Sequence, residues 1–483
     1  MINNNIKGDL KKGFFWSSIL QLSSVGVQFL STIILARFLT PVDYGILGAI
    51  TIFIAIGEML VDSGMGGSLI KRVDITEVDF STLFIYNFSV SILIYLLLYF
   101  CASLIANFYS IYAGLELIIQ TLSTVIIIHA LSIVQRIKLM KELKFKELAI
   151  VTVIANVLGL LLAIVVAVKG MGVWALIIQQ ISSAIFLSAF FFLCNRYIPS
   201  LKFSFKSFRE QFSWGINLLL ANTIRTVNEN IYSSIIAKCS SPSQAGFYVQ
   251  AVRMKNLPVN IMTQVVDKTV FPVLARYTDK GELKYVVRKL NRMILLIVMP
   301  ILFLIAYLSK PLIHILLGAQ WVDASWTLEM LMYASIFLCL QSLYRNILKS
   351  LGDVKSILKN ESVKFLISLV ILFISLFGGY QMILFGIIIS SLLGWIWVML
   401  TVKHCLEYSL VEQFKDVIPI FCINLLTYVC TLLIFMYSEF SLYIDVILKL
   451  LCFVILLIVF SFLFRLPEYK YVQKIILRSK RLE

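Results

Sequence analysis

Two stretches of the chain concentrate side chains able to hold an anion or a hydroxylated ligand. The first, Trp214–Ala237, carries Asn217, Asn222, Arg225, Asn228, Glu229 and Asn230. Asn222, Arg225 and Glu229 are three and four residues apart, so a helix sets them on one face. The second, Ala245–Phe271, carries Gln250, Arg253, Asn256, Asn260, Gln264 and Asp267 at the same steps, with Lys255 and Lys268 to the side. An arginine fork grips an oxyanion through two parallel N–H donors, while Asn and Gln offer a donor and an acceptor to hydroxyls. Earlier in the chain, Gln21, Ser24 and Gln28 recur on one helical face, and Glu58 and Asp62 share another. Neighbouring carboxylates in a low dielectric can exchange a proton, which makes Glu58, Asp62, Glu229 and Asp267 candidates for ion or proton coupling. Plainer readings stand beside these. Arg225 and Glu229 can be an ion pair within their helix, the amide stripe can be glue between helices, and Lys268 can snorkel to an interface. Asp62 can cap its helix or pair with Lys71 or Arg72. Lys364 and Lys449 stand isolated and are expected to point along their helices to an interface, and Arg292 belongs to a cytoplasmic helix end. The three histidines, His129, His314 and His404, are separate, and the eight cysteines form no CxxC pair. Metal ligation and disulfides are not expected, nor is any cofactor.

The elements that carry these residues must be membrane helices. Hydrophobic residues make up 60% of the chain, mean hydropathy is +0.94 and only 14% of residues are charged, against about a quarter for a soluble protein. Apolar windows place spans at Gly13–Ala36, Tyr44–Gly67, Thr82–Ala106, Leu115–Gln135, Leu148–Val168, Gly172–Asn195 and Trp214–Ala237. A second set follows at Ala245–Phe271, Leu290–Leu308, Trp326–Tyr344, Asn360–Phe377, Gln381–Val402, Val417–Tyr437 and Ile444–Phe464. The expected fold is therefore all-α and integral to the membrane, with about fourteen spans. No small-residue cleavage site follows the first apolar run, so it reads as a retained helix. No stretch is long and polar enough for a folded soluble domain, so an attached ATPase is excluded. With both termini inside, about three quarters of the 42 Lys and Arg fall on inner segments, and the outer loops hold only Arg37, Lys169, Lys238 and Lys310. The net charge of +16 is thereby spread along one membrane face, which argues against nucleic acid as a partner.

The chain also repeats itself. Ile34–Gly45 (ILARFLTPVDYG) matches Ile235–Gly246 (IIAKCSSPSQAG), pairing Ala36 with Ala237, Arg37 with Lys238, Pro41 with Pro242 and Gly45 with Gly246. A second match sets Gly170 and Ile181-Ser182-Ser183 against Gly378 and Ile389-Ser390-Ser391. An even number of spans separates the copies, so the repeats are parallel and are expected to enclose a central site. The domain reading is a cytoplasmic tail (1–12), an N-lobe of spans one to six (13–195) and a cytoplasmic linker (196–213). A C-lobe of spans seven to twelve (214–402), two appended spans (403–465) and a basic cytoplasmic tail (466–483) complete it. Pro41, Gly45, Pro242 and Gly246 are hinge or corner candidates, though tight-turn geometry explains them equally well.

Ala36-Arg37-Phe38-Leu39-Thr40-Pro41-Val42-Asp43-Tyr44-Gly45, followed by Asp62-Ser63-Gly64-Met65-Gly66, resembles the multidrug/oligosaccharidyl-lipid/polysaccharide exporter superfamily. More narrowly, it resembles the O-unit and polysaccharide flippases often labelled lipopolysaccharide biosynthesis proteins. The family shows a similar Arg-x-Leu-x-Pro-x-Asp-Tyr-Gly loop and an Asp-x-Gly near the end of its second helix. The resemblance implies an alternating-access transporter in a bacterial inner membrane with a cationic lumen. Its substrate would be an undecaprenyl-pyrophosphate-linked oligosaccharide, an O-antigen, capsule or exopolysaccharide repeat unit. On that reading Arg225, Arg253, Lys255 and Lys268 would face the pyrophosphate. Asn222, Asn228, Gln250, Asn256, Asn260, Gln264, Gln21 and Gln28 would face sugar hydroxyls. Membrane lipids, and beyond them a polysaccharide polymerase with its chain-length machinery, would be the partners.

Two other functions compete. A cation-coupled exporter of small drugs expects an apolar or acidic cavity, whereas spans seven and eight are net basic; it also needs only twelve spans. In related lipid flippases the extra pair makes a groove for the lipid tail, an analogy only. A membrane glycan polymerase, ligase or glycosyltransferase needs acid, base or metal ligands in a sizeable outer loop. The longest such segment, Ser309–Ser325, offers only His314 and Asp323, so an enzyme is not expected.

Overall fold

The structure is a computed structural model describing residues 2–464, apart from 73, 111, 113, 275–276, 278, 352–353 and 437–440. Side chains are also undescribed at 2–15, 17–18, 71, 214, 217–218, 265, 267–272, 280 and 354–355. The described residues form helices and no strand: α1 (Ile2–Ala36), α2 (Pro41–Asp62), α3 (Met65–Lys71), α4 (Glu77–Phe108), α5 (Leu115–Leu122), α6 (Thr124–Lys141), α7 (Phe145–Val168) and α8 (Trp174–Asn195). There follow α9 (Phe205–Cys239), α10 (Pro242–Leu274), α11 (Lys280–Tyr307), α12 (Ser309–Leu316), α13 (Ala324–Ser350), α14 (Val354–Ser375), α15 (Gly379–Leu406), α16 (Leu410–Ile434) and α17 (Leu442–Leu463). Each apolar window of the sequence falls on one of these helices or on a broken pair. The second window is interrupted after Asp62, where Ser63 (φ 51°) and Gly64 (φ 67°) turn left-handed before α3 begins. The fourth is broken at Ser123, between α5 and α6.

Polarity is distributed as hydrocarbon requires. Phe100, Leu104, Phe377 and Phe462 stand exposed, while Asn87, Ser91, Gln135, Asn424 and Thr427 are buried. With lipid outside, apolar side chains gain nothing by turning inward, and polar ones must find partners there. Among the described residues, eleven stretches are long and apolar enough to cross a membrane. One of them, Ser356–Leu406, runs through both α14 and α15, and α9 and α10 are too polar to qualify. The protein is a multi-pass membrane protein.

By contacts the chain divides into two units, Met1–Arg253 and Met254–Glu483. In the first, α7 packs on α1 and α8, α6 on α4 and α8, and α9 on α2. The boundary between the units lies within α10, whereas the sequence repeat suggests one before α9. From Gly215 beside Gly64 to Ser234, whose hydroxyl donates to the Ala49 carbonyl at 3.2 Å, α9 runs antiparallel along α2. The start of α9 is tied down by Arg72–Glu210, by Ser207 on Asp79 and by Gln211 donating to the Asp79 carbonyl at 3.2 Å. Its far end is held by Tyr109 and Ser234, hydroxyl to hydroxyl at 2.6 Å, and by Lys238 on the Phe108 carbonyl.

The two copies of the repeated loop meet in this unit. Pro41 begins α2 and Pro242 begins α10, where the missing N–H costs nothing. Thr40 and Asp43 form a capping box, with the Thr40 amide and hydroxyl both donating to Asp43 Oδ2 at 2.8 Å. Ser241 and Gln244 reproduce it, each side chain accepting from the other's backbone amide at 3.2 Å. One turn on, Gly45 lies under the carbonyl of Pro242 and Gly246 under that of Pro41. A methyl group at either glycine would overlap the opposing backbone. The fit is reciprocal.

In the second unit α13 packs on α11 and α15, α14 on α15, and α16 on α11 and α17. An ion cluster fastens α16 to α11. Asp416, with a side chain 0% exposed, accepts Arg288 through Nε at 2.8 Å and Nη2 at 3.0 Å, and Arg292 through Nε at 2.9 Å. Lys284 pairs with Glu412 at 2.9 Å beside it. Tyr408, in the turn before α16, donates to Asp416 as well. Burial, the nearby Tyr344 and the Asp416 carboxylate hold the Tyr408 phenol above its ordinary range, so it remains the donor. Further along, Glu329 on α13 accepts the hydroxyls of Tyr333 and Tyr428 at 2.8 Å each, within an aromatic cluster that includes Phe303 and Phe421.

Thermal unfolding of the purified protein in detergent tests both the glycine fit and the ion cluster. Gly246→Ala should destabilise by about 1–3 kcal/mol, whereas Gly26→Ala, where a Cβ meets nothing within 4 Å, should leave the transition unchanged or slightly raised. Asp416→Asn should destabilise by about 3–5 kcal/mol, because it removes the buried charge that Arg288 and Arg292 share. Lys284→Gln, at a pair that stays partly in solvent, should lower stability by about 1 kcal/mol or less.

Candidate functional site

The polar residues of α9 and α10 are distributed between distinct surroundings. On α9, Asn222, Arg225 and Asn228 are half-buried and Glu229 is exposed. Arg225 Nη1 and Glu229 Oε1 are 3.9 Å apart, and the Glu229 side chain is 62% exposed. That separation is an ion pair but not a hydrogen bond, so Glu229 does not saturate the guanidinium. Arg225 Nε is buried and meets no acceptor among the described residues, and Asn228 Oδ1 and Thr223 Oγ1, within a turn of it, are likewise unmatched. Asn230, by contrast, is spent locally, donating to the Thr226 carbonyl at 2.8 Å.

On α10, Arg253 lays its guanidinium over the ring of Tyr44, 5.0 Å from the centroid. A cation over a ring face is attracted by the ring's negative face. Tyr44 is fully buried, so the platform is rigid. The residues of the Asp43-Tyr44-Gly45 motif thus act separately. Asp43 caps α2, Tyr44 places a ring under Arg253, and Gly45 makes room for Pro242. Gln250, one turn before Arg253, is fully buried and donates to the Thr32 carbonyl of α1 at 3.2 Å. It works as a helix-to-helix tie. Beyond Arg253 the face continues through Asn256, Asn260 and Gln264, all half-buried, with Lys255 half-buried within electrostatic reach of Cys339 on α13. The side chains of Asp267 and Lys268 lie outside the described residues, as does the basic tail 466–483. On α1, Gln21 is half-buried and Gln28 exposed.

Glu58 and Asp62 of α2 are each met by a side chain of α6. Glu58 Oε1 lies 3.4 Å from His129 Nδ1, and Asp62 Oδ1 lies 3.8 Å from Arg136 Nη2. Asp62 therefore has its partner on α6, while Arg72 is engaged by Glu210 and the Lys71 side chain lies outside the described residues. His129 and Arg136 are two turns apart on one helix, a spacing visible in the sequence, but nothing local tied them to Glu58 and Asp62.

Two lysines expected to be isolated are not. Lys449 pairs with Asp445 at 2.7 Å and lies 5.6 Å from the Tyr307 ring centroid. Lys364 pairs with Glu361 at 2.9 Å, and the same carboxylate takes Arg345 at 3.1 Å. A buried charge must be compensated within the fold, and the acidic partners stood three and four residues away in the sequence. Tyr44 carried no comparable signal, since its contact with Arg253 crosses from α2 to α10.

Known proteins share this architecture and parts of this sequence. The fold matches that of the lipid II flippase MurJ in an inward closed conformation, with a TM-score of 0.75, 16% identity, and coverage of 94% of this chain and 99% of that one. An inward-facing multidrug resistance MATE family transporter of the MOP superfamily matches with a TM-score of 0.59 and 15% identity over 81% of this chain and 99% of its own. In sequence, the teichuronic acid biosynthesis protein TuaB of Bacillus subtilis (strain 168) is 23% identical over 354 residues, 72% of either chain. The lipopolysaccharide biosynthesis protein WzxC of Escherichia coli (strain K12) is 23% identical over 344 residues, 71% of this chain and 68% of its own. Residues 34–326, well over half of the chain, match the family described as polysaccharide biosynthesis protein, and the chain belongs to that family.

Proposed function

We propose that the protein is a transporter that moves a lipid-linked oligosaccharide from the cytoplasmic to the outer leaflet of a bacterial inner membrane, exposing its binding surface to one side at a time. The observation that carries this reading is the pair of cationic forks on α9 and α10. Arg225 has an unsatisfied donor and, within a turn of it, an unsatisfied amide oxygen, and Arg253 holds its guanidinium carbon over the Tyr44 ring, 5.0 Å from the centroid. Both sit on helices too polar to face lipid. A diphosphate linked to sugars supplies what these groups lack: charged oxygens for the guanidinium donors and hydroxyls for Asn222, Asn228, Asn256, Asn260 and Gln264. A cationic drug would add charge to an already basic surface. Relatives named for teichuronic acid, lipopolysaccharide and succinoglycan biosynthesis support a glycan cargo, and the likeness to a lipid II flippase supports its lipid anchor.

In this reading all fourteen long apolar windows cross the membrane, α9 and α10 included, with both termini in the cytoplasm. Glu58, whose carboxylate lies 3.4 Å from His129 Nδ1, and Asp62 are the candidates on α2 for ion or proton coupling. Delivered units would pass to a polysaccharide polymerase and its chain-length machinery.

The test is export in cells lacking the gene, followed as lipid-linked oligosaccharide retained in the cytoplasmic leaflet. At equal protein level, Arg253→Ala and Arg225→Ala should each cut export by about tenfold or more, as expected for loss of a charged hydrogen bond of about 1.5–3 kcal/mol. Arg253→Lys should not restore it, because an ammonium neither stacks nor forks. Wild-type export from both alanine variants would refute the assignment.

A further inference from the structure

Between the ends of α8 and α9 the chain runs without helix from Arg196 to Ser204 and has two different faces. One is fastened to the protein. Gln135 of α6 donates to the Tyr197 carbonyl at 2.6 Å, and Lys138 stands over the Tyr197 ring, 3.9 Å from its centroid. On α4, Ser81 meets Ser200 hydroxyl to hydroxyl at 2.9 Å, and Thr82 Oγ1 accepts the Ser204 amide at 3.1 Å. The start of α4 and the last turns of α6 and α8 thus converge on this strap. All three helices belong to stretches able to cross a membrane, so the strap lies at the level where the membrane meets water.

The other face is apolar and basic. Ile198 is 81% exposed, Leu201 69% and Phe205 70%. Phe203 and Phe205 each lie 6.1 Å from the Phe208 ring, centroid to centroid, and form one ridge with it. Leu201 has a φ of 54°, in the left-handed region that leucine rarely adopts. A plain surface turn would place glycine or asparagine there. A leucine held in that conformation and facing outward calls for a surface that takes its side chain. Beside the ridge stand Arg196, Lys202, Lys206 and Arg209, all exposed. None of the four pairs with a carboxylate among the described residues, and the adjoining Glu210 is engaged by Arg72.

We propose that this strap is an interfacial anchor for acidic phospholipid. Ile198, Leu201, Phe203 and Phe205 enter the boundary between headgroups and acyl chains, while the four cations hold headgroup phosphates. The apolar ridge alone would enter any bilayer; the cations select one with negative headgroups. An acidic protein would also match the cations, but the position of the strap at the ends of three membrane helices sets the ridge against acyl chains. Because the strap leads directly into α9, anchoring it fixes the start of the helix that carries Arg225.

Chymotrypsin, which cuts after phenylalanine, reads the anchor at Phe203 and Phe205. The full chain is placed in nanodiscs of phosphatidylcholine alone or of an equal mixture with phosphatidylglycerol. The two fragments from a cut at 203–205 are then followed by mass. Cleavage of the wild type should be about tenfold slower in the acidic discs, since each basic residue near such a surface adds to the attraction. The difference should shrink as salt screens it. Lys202→Gln combined with Lys206→Gln and Arg209→Gln should be cut equally fast in both discs. Ile198→Asn with Leu201→Asn keeps the charges and suits the left-handed backbone; it should be cut faster than the wild type in the acidic discs. Equal cleavage of the wild type in the two membranes would overturn the anchor and leave this face to a protein partner. Selective protection surviving in the glutamine variant, or undiminished in the asparagine variant, would overturn it as well.

Discussion

A charge or an amide carried into hydrocarbon must be answered by another group or by water, and the organisation of this protein follows from how each one is answered. Carboxylates answer some: Asp416 takes Arg288 and Arg292, and Asp445 takes Lys449. Backbone carbonyls answer others, as where Gln250 reaches Thr32 and Gln135 reaches Tyr197. An aromatic face answers Arg253. These contacts are structural in effect, because removing one partner strands the other in a medium that cannot solvate it. Groups answered only in part, such as Arg225 Nε and Asn228 Oδ1, mark surfaces that a ligand or water completes.

The repeated loop shows how duplication becomes architecture. Each copy supplies a helix-opening proline, a capping box and a glycine one turn later, and each glycine is seated beneath the other copy's proline carbonyl. Two copies of one turn are complementary to each other because the requirement is mutual: a proline carbonyl that projects, and a glycine that makes room. Tyr44 extends the same device inward, since α10, brought close by Gly45 and Gly246, is the helix that carries Arg253 onto the Tyr44 ring.

Helices were legible in the sequence because apolar length is a local property, and every window recurs as a helix or a broken pair of helices. Breaks were less so. The left-handed pair Ser63-Gly64 lies within an Asp-Ser-Gly run that signals a turn, yet the apolar residues on either side conceal it. Pairings divide by distance along the chain. Asp445–Lys449 and Glu361–Lys364 follow the i to i+4 and i to i+3 rules and were open to inspection. Arg345–Glu361, Glu58–His129 and Arg288–Asp416 join different helices, and no local pattern specifies them. The stripe on α10 was visible as a stripe, but its periodicity could not show that Gln250 turns to a neighbouring helix while Arg253 turns to a ring.

Selectivity then follows from the sign of what is left over. A surface whose unmatched groups are guanidinium donors discriminates between ligands by electrostatics before shape enters. An uncharged glycan would satisfy the amides of α9 and α10 and leave the arginines as they are. A cation would raise their cost. An anionic linkage between lipid and sugar matches both sets at once, and because amides accept many hydroxyl patterns, the sugars themselves are free to vary. On the proposed reading, the phosphate linkage would be the part of the cargo that the arginines recognise, and the glycan the part left free to vary.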